Sequence, residues 1–156
     1  MKKLLKEFKQ SRNLLLLSIK RFPVKSREEV LFDKWSLKDV VAHISAWDIL
    51  TIEVIKTFKI KKSPRWVISI PTFNKVSVSE RKEWSWDKVL AEFEKLGIQI
   101  YKEYSSLPEE LWDKKMYKNK SFTPRSFLKI DIHHYAKEHL PVILKISKKI
   151  SKTNKK

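Results

Sequence analysis

Ser36-Leu37-Lys38-Asp39-Val40-Val41-Ala42-His43-Ile44-Ser45-Ala46-Trp47 opens the segment that decides the fold. Ser36 is placed to cap a helix, and Asp39 puts an anion in the first turn, where the helix dipole favours one. At about 100° per residue, Val40, Ile44, Trp47, Thr51, Val54 and Phe58 cluster around one direction. A helix is therefore expected from Ser36 to about Phe58. The same period recurs on both sides. Residues 3–22 carry Leu4, Leu5, Phe8, Leu15, Ile19 and Phe22 on one stripe and stop at Pro23. Residues 86–106, capped by Ser85, carry Trp86, Val89, Leu90, Phe93, Leu96, Gly97, Ile100 and Tyr104. A last helix is capped by Thr123, with Pro124 at the first helical position, and runs to about Ile150. Its stripe is Leu128, Ile132, Tyr135, His139, Val142, Ile146 and Ile150, with a kink expected at Pro141.

Residues 59–84 break the pattern. Pro64 and Pro71 flank the alternating run Trp66-Val67-Ile68-Ser69-Ile70, which has no evident partner strand, so a long packed loop is expected. Leu107 to Trp112 reads as a turn or a short extra helical turn, and Asp113 to Phe122 as a basic loop. Four amphipathic helices with no strong strand signal predict an all-α, single-domain four-helix bundle over residues 1–150. Residues 151–156 form a Lys-rich tail, expected to fray. The connection between the second and third helices is long enough to cross over, so an up-down-up-down order is not forced.

Composition narrows the chemistry. The 156 residues include one glycine, Gly97, and no cysteine. Gly-rich phosphate loops, dinucleotide fingerprints, thiolate nucleophiles and cysteine metal sites are thereby excluded. Lys6, Lys9 and Arg12 interrupt the N-terminal apolar run before a secretory h-region forms, and no stretch approaches the roughly 20 apolar residues of a membrane span. A soluble, cytoplasmic protein, monomeric or homodimeric, is the expectation.

The four histidines are His43, His133, His134 and His139. Helical bookkeeping puts His139 near the centre of the last helix's core stripe, with Tyr135 beside it and Asp131 flanking. His43 lies on the flank of the second helix's core face. His134 falls near an edge and His133 points outward. A lone histidine on an apolar face is more often a hydrogen-bonded core residue. Two inward histidines on different helices, with a tyrosine and an aspartate nearby, point instead to a polar pocket of titratable groups.

The block Trp35 to Trp47 resembles the helix 2 signature of the DinB/YfiT-like four-helix bundles, and most closely their ClbS/DfsB branch. His134-Tyr135-Ala136-Lys137-Glu138-His139-Leu140-Pro141-Val142-Ile143 resembles that branch's helix 4 motif. Phe73-Asn74 and Leu107-Pro108-Glu109-Glu110-Leu111-Trp112 fit its layout, and the likeness spans most of the chain. The resemblance implies an up-down-down-up bundle with a pocket between the helices. In metal-binding members, one helix 2 histidine and an i, i+4 histidine pair of helix 4 hold a divalent metal.

His43 matches the first of those ligands and His139 the last. Position 135, where the middle ligand belongs, is Tyr. His134 lies five residues before His139, so on a regular α-helix the two diverge by about 140° and only a local bulge near Pro141 would bring them together. The pairs His134–Glu138 and Asp131–Tyr135 have the i, i+4 spacing, which leaves the third ligand open between His134 and Glu138. Zinc or nickel binding is accordingly expected to be weak and to tighten in Tyr135→His. The branch is associated with self-protection against reactive small molecules, and the wider superfamily with thiol-dependent transferases and metal-dependent hydrolases. A hydrolase or transferase acting on an electrophilic metabolite, or a protein sequestering one, is implied. His43 and His139 would supply base or ligand functions and Tyr135 a proton. Asp131 would stand beside them, with Trp47 and Asn74 at the substrate.

Charge supports a rival reading. Lys and Arg number 35 against 18 Asp and Glu, a net charge of +17. Clusters occur at Lys56, Lys59, Lys61, Lys62 and Arg65, and at Lys145, Lys148, Lys149, Lys152, Lys155 and Lys156. Such clusters neutralise phosphates without reading sequence, and Trp66 and Trp84 could stack on bases. A basic module binding nucleic acid is the alternative, with an anionic membrane surface a lesser one. Lysine in place of arginine weakens base readout.

Overall fold

The computed structural model describes residues 1–64, 67 and 69–153. Arg65, Trp66, Lys155 and Lys156 of the basic and stacking sets, and Ile68 of the alternating run, lie outside the described residues. The chain is an all-α single domain. Helices α1 (Lys2–Arg21), α2 (Leu37–Lys59), α3 (Ile70–Ser79) and α4 (Trp86–Ser105) are followed by α5 (Pro124–His133), a π-helical turn (His134–His139) and α6 (Leu140–Thr153). The last three form one unbroken helical rod. Among the described residues the only β pairing is two isolated bridges, Phe32 with Trp35 and Tyr117 with Lys120. No helix is long and apolar enough to cross a membrane.

Local chemistry sets the ends. Ser36 accepts from the Asp39 N–H while the Asp39 carboxylate accepts from the Ser36 N–H, a reciprocal cap. Thr123 and Ser126 repeat it at α5, with Pro124 in the first turn. After α2, Lys61 takes a left-handed φ of 59°. Its N–H and that of Lys62 turn back onto the Phe58 and Thr57 carbonyls, which closes the helix end.

α3 corrects the expectation of a loop over 59–84. The Ser69 hydroxyl accepts from the Thr72 N–H, and Pro71 sits in the first turn, where its missing N–H costs nothing. A proline read as a break is here part of a helix start. The tail is also shorter than expected, because α6 continues to Thr153.

α2 and α4 pack along their length. Lys38 donates to the Trp84 carbonyl at one end, and Lys59 to Glu103 and Ser106 at the other. Phe8, Leu15 and Ile19 of α1, Val40, Ile44 and Val54 of α2, Phe93 and Ile100 of α4, and Leu128 and Ile132 of α5 are buried in one core. Trp47 and Ile146, expected with them, are half-buried against it.

The last rod departs from the expected stripe. In the π turn the Leu140 N–H reaches the Tyr135 carbonyl, five residues back. The turn holds one residue more than an α-turn, so everything after it shifts by one position. Val142, placed in the core by a straight α-helix, is 44% exposed, and Ile143 takes its place at 0%. Pro141 explains the location. It has no N–H for the Lys137 carbonyl, and its ring would clash with that carbonyl in a tight turn. Widening the preceding turn relieves both problems. In this phase Ile143→Ala costs about 2–5 kcal/mol of stability, while Val142→Ala stays within about 0.5 kcal/mol. Urea unfolding of the two variants measures the difference, and a larger loss in Val142→Ala than in Ile143→Ala would return the rod to a straight α-helix.

Candidate metal centre

Three histidines from two elements meet at one point. His43 projects from α2. His134 and His139 stand at the two ends of the π turn. The Nε2 atoms of His139 and His134 are 2.8 Å apart, and those of His43 and His134 are 3.2 Å apart. The rings of His43 and His139 lie 5.3 Å apart between centroids. One nitrogen from each ring falls within 4.8 Å of the other two. The 140° divergence expected for an α-helix is removed by the π turn, because its i→i+5 closure stacks residues five apart.

The electrostatics of the cluster are those of a cation site. A neutral imidazole nitrogen either donates one hydrogen bond or accepts one. The Nε2 of His134 faces two other Nε2 atoms and cannot be correctly paired with both. Protonating the rings puts like charges together in a desolvated place. Burial is the main cause that lowers His43 to about 4, with an Asn74 hydrogen bond opposing it. Burial, then the charges of His139 and His43, lowers His134 to about 2. Burial, then His43, lowers His139 to about 3. The three rings are neutral at pH 7, with lone pairs available. In a tetrahedral zinc site with bonds of about 2.0–2.1 Å, ligand nitrogens stand about 3.3 Å apart. The observed 2.8 and 3.2 Å are close to that spacing. The donor set therefore fits a divalent metal of the zinc or nickel kind.

Aromatic rings wall the cluster. Trp35 lies 5.0 Å and Trp47 6.4 Å from His43, centroid to centroid. Trp47 Nε1 donates to Asn74 Oδ1 at 2.9 Å, and Phe73 packs on the same indole at 4.6 Å. Helix α3 is thereby fastened over α2 beside His43, so the segment expected to be a loop supplies part of the site.

The other candidates fall elsewhere. Tyr135 is fully buried and donates its hydroxyl to Asp48, behind the histidines rather than among them. Its phenol is raised well above the ordinary range, chiefly by burial and then by Asp48. Its hydroxyl is thereby turned toward the core and not toward the three imidazole nitrogens. Asp131 is also in the core, accepting from Tyr104 at 2.7 Å and from Thr51 at 3.4 Å. Glu138 is exposed and lies 3.6 Å from the exposed His133, so of the two third-ligand alternatives His134 is the one beside His43 and His139.

Sequence reasoning missed Arg12, Asp48 and Trp35. Arg12 pairs with Asp48 at 2.6 Å, donates to the Phe93 carbonyl at 2.9 Å, and lies over the Phe93 and Tyr135 rings. A signal existed. Arg12 falls between Phe8 and Leu15 on the apolar stripe of α1, and Asp48 falls between Ile44 and Thr51 on that of α2. Two opposite charges at core positions of different helices invite pairing.

Burial, opposed by the Tyr104 hydrogen bond and reinforced by the Asp48 charge, pushes Asp131 up to about 8. The folded state thus holds a proton that the unfolded chain releases near the ordinary carboxyl value. Asp131 therefore removes stability as pH rises from about 4 to 8. The histidines act oppositely, since their lowered values remove stability as pH falls below about 6.5. Asp131→Asn keeps an acceptor for Tyr104 without a titrating proton. It should raise the Tm by a few degrees at pH 8 and change it little at pH 4. Thermal melts at the two pH values test this, and an equal shift at both would remove Asp131 from the account. Comparison of the chain with protein-family models, with curated proteins and with solved structures finds no match in any of the three.

Proposed function

We propose that this chain is a bundle of the DinB/YfiT-like type, ClbS/DfsB-like branch, that holds a divalent metal on His43, His134 and His139 and acts on an electrophilic small molecule beside it. The observation that carries the reading is the convergence of three neutral imidazole nitrogens. Helix directions support it. Lys38–Trp84 and Lys59–Glu103 make α2 and α4 run the same way. Phe8–Tyr104 and Lys20–Glu94 make α1 run against α4. His43–His139 and Thr51–Asp131 make the last rod run against α2. Apart from α3, these directions are consistent with an up-down-down-up order.

A divalent ion held there supplies Lewis-acid polarisation of a bound electrophile. The chain's own contribution is positional. Burial keeps the three rings unprotonated and ready to ligate. Trp35 and Trp47 offer apolar walls to the substrate, and Asn74 is held beside them by its bond from Trp47. Hydrolysis is the favoured reaction class. Transfer to a thiol and simple sequestration remain within the same pocket.

Zinc titration tests the site. One equivalent should bind, with affinity falling about a hundredfold or more in His43→Ala, His134→Ala or His139→Ala and unchanged in His133→Ala. Deleting Ala136 converts the π turn to an α turn and puts the two rod histidines four apart, so zinc should still bind. Stoichiometric binding that survives His134→Ala would reject the ligand set. For the reaction, zinc-loaded protein should speed hydrolysis of styrene oxide to its diol, and His134→Ala should not. A rate equal to buffer, with no saturable uptake of the epoxide, rejects the pocket function.

The nucleic-acid alternative rests on Lys145, Lys148, Lys149 and Lys152, all exposed on α6, and on Lys61 and Lys62, exposed after the end of α2. Two observations reduce it. Lys56 and Lys59 are engaged by Glu103, and the Trp84 ring is covered by Lys88 at 3.9 Å and Arg81 at 5.4 Å.

A further inference from the structure

Tyr135 and Asp48 touch no metal ligand atom, yet they join the two elements that carry the ligands. Tyr135 follows His134 in the chain, and its carbonyl receives the Leu140 N–H that closes the π turn. Asp48 lies on α2, the helix that carries His43. Both side chains are fully buried, and the Tyr135 hydroxyl donates to the Asp48 carboxylate. One hydrogen bond thus ties the helix of His43 to the turn that presents His134 and His139. Asp48 is itself held by Arg12 of α1 at 2.6 Å. Arg12 is fixed in turn by the Phe93 carbonyl at 2.9 Å and lies 3.5 Å over the Phe93 ring. Gly97 leaves room for it, since a Cβ there would come within 3.1 Å of Arg12 Nε.

The extra residue of the π turn needs such an anchor. A π turn joins two stretches of α-helix whose side-chain frames differ by one residue. Pro141 favours a widening ahead of it, but it does not fix the residue at which the widening begins. An extra residue placed one turn earlier would leave His134 and His139 in a single α frame, about 140° apart. Ile143, fully buried, fixes the frame after the turn. Tyr135, bonded to Asp48, fixes the frame before it at the last possible residue. Asp131, bonded by Tyr104 at 2.7 Å, fixes that same frame one turn too early to prevent the slide.

We infer that Tyr135 and Asp48 are positioning residues of the histidine cluster: their hydrogen bond confines the extra residue to the stretch between Tyr135 and Leu140, and so holds His134 and His139 side by side opposite His43. The consequence for metal affinity rests on the proposed ligand set; the consequence for the ring geometry does not.

Tyr135→Phe tests this, because it removes the hydroxyl and keeps the ring that Phe8 and Arg12 pack on. Tyr104→Phe is the matched control. It too removes a buried hydroxyl bonded to an aspartate, and in each case the aspartate keeps a second partner, Arg12 for Asp48 and Thr51 for Asp131. Both variants should lose a few degrees of Tm. In the metal-free protein, the His134 and His139 rings stand 4.4 Å apart between centroids, so nuclear Overhauser contacts between their ring protons report the juxtaposition. Those contacts should persist in Tyr104→Phe and be lost in Tyr135→Phe. Zinc affinity, by isothermal titration, should fall about ten- to a hundredfold in Tyr135→Phe and stay within about twofold in Tyr104→Phe. Deleting Ala136 together with Tyr135→Phe should restore the affinity, because an α turn then aligns the two histidines without an anchor. A general loosening of the core would not be repaired that way. Absence of the ring contacts in the unaltered protein, their persistence in Tyr135→Phe, equal losses in the two phenylalanine variants, or no recovery on deleting Ala136 each overturn the inference. Ring contacts in a protein that binds no zinc reject the ligand set instead, and the positioning role is then decided by the ring contacts of the two variants.

Discussion

One extra residue in the turn before Pro141 governs both the site and the packing around it. The π turn lets His134 and His139, five apart, present their Nε2 atoms to the same point. It also moves the apolar stripe of α6 onto Ile143. A straight α-helix could satisfy neither demand, because five residues overshoot a full turn by about 140°. π turns are rare and are frequent at functional sites, where the wider turn re-aims a side chain. Here Tyr135, inside that turn, is anchored by Asp48 in the core. His43 waits on α2 to receive the two rings on the opposite side.

Beneath the histidines lies a layer of polar groups that a small core does not require for stability alone. Arg12, Asp48 and Tyr135 form one connected set, and Tyr104, Asp131 and Thr51 another. Burying such charges roughly cancels their attraction, whereas removing one partner strands the other. What the layer provides is orientation. It joins α1, α2, α4 and the last rod at one level, next to the π turn, and so holds the relative rotation of the elements that carry the ligands.

The large positive charge has a divided structural meaning. On α2, lysines are answered by acids, as at Lys59 and Glu103 or Lys38 and Glu28. On α6, four lysines face outward along a helix whose inward face is apolar. Lysine heads in water over apolar stems suit a solvated face as well as an anionic partner.

The sequence by itself determined the four long amphipathic segments, their caps and the inward placement of His43 and His139. Helical periodicity, Ser and Thr caps and Pro at a first turn are local properties, written in neighbouring residues. α3 escaped because ten residues around Pro71 give too short a period to outweigh the proline. Only the tertiary structure decided the third histidine and the fate of Tyr135 and Asp131. Periodicity assumes a uniform turn, so a single-residue π insertion is invisible to it and shifts every later position by one. The roles of the buried polar residues depend on which partner faces them across the core. Asp48 claims Tyr135, and Tyr104 claims Asp131, because four elements from distant parts of the chain meet at one level.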